Sequence, residues 1–294
     1  MSWYEVSLLA MLVSSFTPIF QKWALNYKIN RTKLLFYVFI GMFLLYLGYN
    51  LVVAPAELKE VVQTETFWLW GLLIGVLSMA GNIAMTKAFG ESPNPGYVQS
   101  VIVANVLLVL ILSSIFLGAP IGIGKTVGTF MIIAGLVGLF LFNKTTKKAG
   151  RWPLPATIAT ICFGLMFLVV KKMTNIGISP GQILVVLFLI ASIGFVVLAY
   201  QQKVGFRLGN LSQIVILPII LYILVGFLSN LLNFVAIKLV ANPGYSTAIF
   251  NVSVIPTLFI SWLVFPREFG GEFSIRKWLG VFIIIGGVIL VILG

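Results

Sequence analysis

The sequence of 294 residues contains no histidine, a single cysteine, and only 7 acidic side chains against 19 basic ones. The cysteine, Cys162, lies within an apolar run, so the chain cannot build an internal disulfide framework. Without histidine it also cannot build an ordinary zinc site from histidine and cysteine ligands. No carboxylate lies in the middle of an apolar run, which leaves no acid and base pair for hydrolysis or group transfer. These absences predict a protein that is not an enzyme and holds no metal or cofactor.

Apolar residues take the place of the missing charges. Hydrophobic residues make up 60% of the chain and charged residues 9%, and the mean hydropathy is +1.12. Such values are typical of proteins with many membrane spans. Ten apolar runs, most near the roughly 20 residues of a spanning helix, cover residues 4–24, 34–53, 67–87, 96–116, 127–142, 155–173, 180–200, 211–239, 244–265 and 277–293. The sequence predicts an all-α integral membrane protein with ten transmembrane helices, one of which bends at Pro218.

The net charge of +12 reflects membrane topology rather than a nucleic-acid partner. Most basic residues lie in the loops on the side opposite the termini, and the positive-inside rule places such loops in the cytoplasm. The charge distribution therefore predicts that both termini face outward from a plasma (inner) membrane. Membrane lipid and a small-molecule solute are the expected partners, and no nucleic acid is expected.

The tetrapeptide NPGY occurs twice, at 94–97 and at 242–245, each time directly before an apolar run. The two copies are 148 residues apart, which indicates an internal duplication. The predicted repeats are 1–146 and 147–294, with five helices in each. Because five is an odd number, the second repeat must cross the membrane in the opposite sense, which is the inverted-repeat plan of secondary transporters.

A second short pattern, at Ala119–Thr126, nearly matches the phosphate-binding loop GxxxxGK[ST]. Its lysine, Lys125, corresponds in the second repeat to Lys277, where no glycine-rich loop exists. The repeats share only a lysine followed three residues later by a glycine, at the start of the last helix of each half. We interpret this lysine as one that snorkels to the membrane surface, not as a nucleotide ligand.

The segments FLGAP…GKTVGTFMIIAGLVGL (Phe116–Leu139) and FPREF…RKWLGVFIIIGGVIL (Phe265–Leu290) echo each other within the ten-helix pattern. In these segments and in its overall plan, the chain resembles the EamA group of the drug/metabolite transporter superfamily. The resemblance implies a transporter of small organic metabolites, with amino acids first and nucleosides or nucleotide sugars as alternatives. It also implies cytoplasmic termini, contrary to the charge distribution, so the orientation is left open.

Polar side chains in the hydrocarbon region are costly unless they face the bundle interior, which makes them candidate contacts for a solute. The candidates are amides on the third helix of each half and on the fourth and ninth helices: Asn82, Gln99, Asn105, Asn230, Asn233 and Asn251. An amide both donates and accepts, which suits a polar or zwitterionic solute. Hydrogen bonding between helices explains any single one of them equally well.

Four further residues are candidates for a gate: Tyr97, Tyr245, Pro18 and Pro256. The two tyrosines end the NPGY repeats, whose asparagine and proline are also typical of an ordinary helix start. Each tyrosine is alternatively an anchor at the membrane surface. Each proline removes a backbone hydrogen bond within a predicted span and predicts a bend, which either faces the solute path or is a simple kink.

The predicted function is secondary transport of a small organic metabolite by alternating access, with export as the expected direction. A lipid-translocating or structural membrane protein is the alternative. Proton-coupled export of cationic drugs is disfavoured, since no carboxylate lies within a span.

The GxxxG spacing at Gly71–Gly75 allows a close helix contact within the chain or in a homodimer. Lys22 and Lys171, near the ends of the first helix of each half, are expected to snorkel.

Overall fold

The computed structural model describes residues 1–27, 29–91, 98, 101–141, 151–204, 213–264 and 275–294. All regular secondary structure in these residues is helical. The helices of the first half are α1 (Trp3–Ser14), α2 (Thr17–Asn26), α3 (Arg31–Val53), α4 (Pro55–Val61), α5 (Glu65–Glu91), α6 (Asn105–Leu117) and α7 (Ile123–Leu141). Those of the second half are α8 (Pro153–Asn175), α9 (Pro180–Gln201), α10 (Gln213–Leu239), α11 (Pro243–Asn251), α12 (Val254–Val264) and α13 (Ile275–Leu293).

Six helices within the described ranges are long and apolar enough to cross a membrane. They are Trp3–Asn26, which combines α1 and α2, Arg31–Val53, Glu65–Ala88, Pro153–Asn175, Pro180–Gln201 and Val215–Leu239. Shorter apolar helices within α6, α7 and α13 fall on three further predicted runs. The chain is therefore an all-helical, multi-pass membrane protein, while the total of ten spans stays a prediction. Pro218 lies inside α10, which is one helix, as predicted, while the bend at Pro218 stays a prediction.

Several helices begin at residues that satisfy their free N–H groups. Ser2 accepts a hydrogen bond from the backbone N–H of Glu5, and the Glu5 carboxylate accepts one from the N–H of Ser2, which forms a capping box at the start of α1. Ser179 and Gln182 repeat this arrangement at the start of α9. The short helix α4, which the apolar runs did not predict, starts at a proline and carries a glutamate in its first turn.

Short 3₁₀ turns interrupt three of the predicted spans. The first span divides into α1 and α2 at Ser15–Phe16, and the ninth divides into α11 and α12 at Val252–Ser253. The fourth contains a turn at Val103–Ala104, directly before α6. At each break, N–H groups bond the carbonyl three residues earlier, at distances between 2.9 and 3.3 Å. Stretches of 3₁₀ helix inside a longer helix often mark functional hinges.

Corresponding helices of the two halves pack against each other in opposite directions. Between α7 and α13, a Cβ atom added to Gly128 would lie 2.6 Å from the Gly287 carbonyl oxygen. One added to Gly135 would lie 2.8 Å from the Gly280 carbonyl oxygen. Because the order of the partners is reversed along the chain, the two helices are antiparallel. The absence of side chains at these glycines lets the two backbones touch.

Helices α3 and α9 are antiparallel as well. The Thr32 hydroxyl at the start of α3 donates to the Gln202 side chain at the end of α9, at 2.8 Å. At the opposite end, the Asn50 side chain lies 3.0 Å from the position that a Cβ atom of Gly181 would take. Aromatic rings of α3, α9 and α10 pack between these two ends: Phe39, Tyr46, Phe188, Phe195 and Phe227.

The GxxxG spacing on α5 joins two helices of the same chain. A Cβ atom added to Gly71 would collide with Val186 of α9, and one added to Gly75 would collide with Ile190. Of the two explanations that the spacing allowed, the contact within the chain is the one observed. The motif therefore gives no support to a homodimer, which stays a prediction.

Candidate functional site

The breaks of the fourth and ninth spans lie side by side across the boundary between the two halves. Asn105 is the first residue of α6 and Asn251 is the last residue of α11, and Asn251 Nδ2 donates to Asn105 Oδ1 at 3.3 Å. Both side chains are buried, and Asn251 Nδ2 also donates to the Thr247 carbonyl at 3.0 Å. The structure thus brings together two of the six predicted solute contacts, one from each half.

Two threonine hydroxyls of the second half bind backbone carbonyls at breaks in the first half. Thr160 of α8 donates to the carbonyl of Val101, next to the break before α6, at 2.9 Å. Thr257 of α12 donates to the carbonyl of Ser15, between α1 and α2, at 2.8 Å. Carbonyls that lose their α-helical donor inside a membrane need another partner. Each hydroxyl shares its one proton between the carbonyl at the break and the carbonyl four residues earlier in its own helix. We call the four residues Ser15, Asn105, Asn251 and Thr257 the polar junction.

The second NPGY motif docks the start of α11 onto the first half. Asn242 Oδ1 accepts from the Gly244 N–H at 3.0 Å, and Asn242 Nδ2 donates to the Leu110 carbonyl of α6 at 3.2 Å. A Cβ atom on Gly244 would lie 2.7 Å from the Leu110 Cα atom, so only glycine fits without a shift of the helices. The Tyr245 hydroxyl accepts from the Gly122 N–H at 2.8 Å. Tyr245 is buried between the halves, and its role as a gate stays a prediction.

Asn82 and Asn230, which the repeat pairs, make the same hydrogen bond in both halves. Each Nδ2 donates to the carbonyl four residues earlier, that of Ser78 at 2.8 Å and that of Gly226 at 2.7 Å. These bonds are local to α5 and α10, but Asn230 Nδ2 also donates to Met42 Sδ of α3, in the other half, at 3.9 Å. Asn233, also on α10, is buried, and its Oδ1 has no hydrogen-bond partner in the described part of the chain. A buried oxygen without a donor is costly, which makes Asn233 a place where a solute donor is favoured.

The remaining predicted site residues divide into two groups. Gln99 and Tyr97 lie outside the described residues, so their roles stay predictions. Pro18 is the second residue of α2 and Pro256 is the third residue of α12, so each proline closely follows one of the breaks. A proline disfavours the helical conformation of the residue before it and donates no N–H, which suits a position directly after an interruption.

Lys171 does not snorkel, and that expectation was wrong. Its side chain is only 7% exposed, and Nζ donates to the carbonyl oxygens of Ile237, Lys238 and Val240 at 3.1, 3.1 and 2.6 Å. These carbonyls lie at the C-terminal end of α10, where the helix dipole is negative and the carbonyls lack donors within the helix. The lysine faces the bundle because it lies on the buried face of α8, which the sequence position alone did not indicate.

A cavity of about 180 Å³ lies next to this cap. Its walls include Trp3 from the start of α1, Gly122 and Lys125 from the start of α7, and Val240 and Tyr245 from the turn between α10 and α11. The sequence placed Tyr245 among the candidates but not Trp3 or Lys125. No signal along the chain joins these residues, because three distant segments form the cavity.

The sequence model of the EamA-like transporter family matches residues 1–141 and, a second time, residues 151–293. The chain belongs to the EamA-like transporter family. The resemblance seen in the sequence is thereby confirmed. The EamA-like family is part of the drug/metabolite transporter superfamily. Its members are in general not enzymes.

A known crystal structure of a protein has the same fold as this EamA-like chain, with a TM-score of 0.76. The sequence identity is 15%, and the similarity covers 99% of this chain and 98% of that chain. At this identity the similarity concerns the fold alone. No curated protein is significantly similar in sequence to this chain.

Proposed function

We propose that this EamA-like protein is a secondary transporter that exports a small polar organic solute, an amino acid or a related metabolite, across the plasma (inner) membrane by alternating access. Its halves would form inverted repeats. The antiparallel packing of α3 with α9 and of α7 with α13 supports this proposal. The contacts of α6 with α11 support it too, since Asn105 meets Asn251 and Leu110 meets Gly244. Corresponding helices of inverted repeats run in opposite directions.

The hydrogen bond between Asn105 and Asn251 is the observation that carries the proposal. It joins the fourth and ninth spans, which correspond in the repeat. Each span is interrupted next to the asparagine that forms the bond. Transporters built from inverted repeats typically bind their solutes between discontinuous helices near the middle of the membrane. A solute that replaces one of the amide partners changes how the halves hold each other, which links binding to a change of conformation.

We assign Tyr245 to a gate at the end of the bundle where α1, α7 and α11 begin. Its bond to Gly122, together with the close packing of Gly244 on Leu110, holds the two halves together at this end. Tyr97, in the first NPGY motif, would have the same role at the opposite end if the repeats are inverted. The breaks beside Pro18 and Pro256 would serve as the hinges.

Transport into liposomes by variants of the polar junction tests this proposal. Asn105→Leu and Asn251→Leu each leave a buried amide without its partner, and a lost buried hydrogen bond of about 1–3 kcal/mol predicts transport reduced roughly fivefold to a hundredfold. Ser113→Ala is the matched control, because Ser113 is buried on the same helix and its hydroxyl has no partner among the described residues. Full transport by both asparagine variants would exclude the polar junction as the solute site.

A thermal-shift screen of the purified protein identifies the solute class. A ligand that binds only the folded state at about a hundred times its dissociation constant stabilises it by about 2.7 kcal/mol. We expect amino acids or related metabolites to raise the melting temperature in a dose-dependent way. A rise with nucleosides or nucleotide sugars alone would change the solute, and a rise with lipids alone would favour a lipid-translocating protein.

A further inference from the structure

The cavity beside Tyr245 has one charged residue, Lys125, in its described wall. It lies between the two halves, and its wall includes Lys125, whose ammonium group makes no hydrogen bond or ion pair with the residues that the structure describes. A second ammonium group, that of Lys171, lies behind the cavity wall, where it binds the Val240 carbonyl at 2.6 Å. Lys125 is thus the charged residue in the described wall of the cavity.

Tyr245 adds a hydrogen-bond donor to this cavity. Its side chain is 3% exposed and lines the cavity wall. The hydroxyl oxygen already accepts from the Gly122 N–H at 2.8 Å, so its own proton is left to donate. The remaining wall is apolar or aromatic and includes the Trp3 ring and the Val240 side chain. A lysine and a tyrosine with an O–H left to donate thus line the same small space, which also has an apolar side.

We propose that this cavity binds the carboxylate group of a small organic anion, with Lys125 and Tyr245 as the two donors and Trp3 against the apolar part. This inference rests on the proposed function and specifies its solute class: an anion or a zwitterion that presents a carboxylate at this end of the transporter. Charge-assisted hydrogen bonds from lysine to a carboxylate are stronger than those between neutral groups, so the site discriminates by charge.

Calorimetric binding of benzoate and of benzamide to the full-length protein, held in bilayer discs of zwitterionic lipid, tests the proposal. The two probes have similar shapes and differ in charge. We expect benzoate to bind at least about tenfold more tightly than benzamide, which is the effect of one charge-assisted hydrogen bond. Lys125→Met removes this preference, whereas Lys125→Arg keeps the charge and retains it.

Lys59→Met is the matched control, since Lys59 is an exposed lysine on α4, away from the cavity. This variant should bind benzoate as the wild type does. Unchanged benzoate preference in Lys125→Met, or equal binding of both probes by the wild type, would overturn the proposal. The melting temperature without ligand identifies a variant that fails to fold, and Lys125→Arg then decides the role of the charge.

An anionic lipid headgroup is negatively charged, as a carboxylate is, and could occupy the same site. The benzoate measurement is therefore repeated in discs that contain phosphatidylglycerol. Benzoate binding that persists there supports a soluble carboxylate, and its loss would overturn that assignment in favour of lipid. Liposome transport separates this inference from the proposed function. If the protein transports only neutral solutes and Lys125→Met is fully active, the carboxylate site is contradicted and the transporter function stands. If benzoate binds with charge selectivity but nothing is transported, the site stands and the transporter function is contradicted.

Discussion

Lys171 is a buried cation whose partner is the end of a helix. Its ammonium group donates to three carbonyl oxygens at the end of α10, and within the described ranges no carboxylate forms an ion pair with it. A lysine surrounded by apolar side chains requires such a partner, and helix C-termini provide partial negative charge. The interaction also fixes the turn that leads from α10 into the NPGY motif.

Replacement of this lysine should lower the stability of the protein. Lys171→Met removes a set of charged hydrogen bonds, for which we expect a loss of about 1.5–3 kcal/mol in the free energy of unfolding. Lys172→Met is the control, because Lys172 is the neighbouring residue and its side chain is exposed. Thermal unfolding in detergent measures both. Equal melting temperatures for the two variants would contradict a stabilising role of the cap.

Asn233 should separate function from stability. Its buried Oδ1 has no partner in the described structure, so Asn233→Leu removes a polar atom that the folded state leaves unsatisfied. We expect the melting temperature to stay equal or to rise, while transport falls if the solute supplies the missing donor. Ser192→Ala is the control, because the Ser192 hydroxyl on α9 is also buried without a described partner. This variant should leave transport intact. Lower stability of Asn233→Leu would indicate a packing role instead.

At the scale of elements, α7 and α13 join the halves through a close contact of their backbones. Their glycines let carbonyl oxygens of one helix approach the Cα atoms of the other, which no larger residue allows without a shift. The two helices are the last of each half, and they carry the segments in which the family resemblance was recognised. Helix packing thus explains four glycines of those segments, Gly128, Gly135, Gly280 and Gly287.

A methyl group in this contact should destabilise the protein. Gly128→Ala places a carbon within 2.6 Å of the Gly287 carbonyl oxygen, and overpacking of this kind typically costs about 1–3 kcal/mol. Gly48→Ala on α3 is the control, because nothing lies within 4 Å of the added carbon. This control should keep or slightly raise the melting temperature, since alanine favours helix. A tolerated Gly128→Ala would show that the two helices are free to separate.

At the scale of the whole molecule, the two halves meet in different ways along the bundle. The polar junction joins them through the breaks, and the NPGY contact joins them at the end where α1, α7 and α11 begin. Alternating access requires the second contact to open while the rest of each half moves as a unit. The cavity beside Tyr245 lies where such an opening would start.

A covalent link across this end should stop transport. Pro120 and Ala241 are exposed, belong to different halves and line the same cavity. We expect Pro120→Cys with Ala241→Cys, in a Cys162→Ala background, to lose transport when a short reversible thiol cross-linker joins them. A reducing agent should restore it, and each single cysteine variant should be insensitive. Full transport by the linked protein would show that this end does not open.

Much of the architecture followed from the sequence because it depends on short-range properties. Composition and run length predict a helical membrane protein, and the two NPGY motifs reveal the duplication. The asparagines of both halves could be named as candidates because polar residues are rare in such runs. The breaks within the first and ninth spans were predicted only as bends near Pro18 and Pro256, since a proline indicates an interruption but not where the hydrogen bonding changes.

The sequence by itself determined the fold class and the family, because hydropathy and repeated motifs are carried by neighbouring residues. Only the tertiary structure decided which asparagines meet, that Lys171 caps α10, and that the GxxxG glycines serve a contact within the chain. It also decided that Lys125 shares a cavity with Tyr245, 120 positions further along the chain. These outcomes depend on how each helix is rotated and on contacts between distant segments. Neighbouring residues in the sequence contain no signal for either.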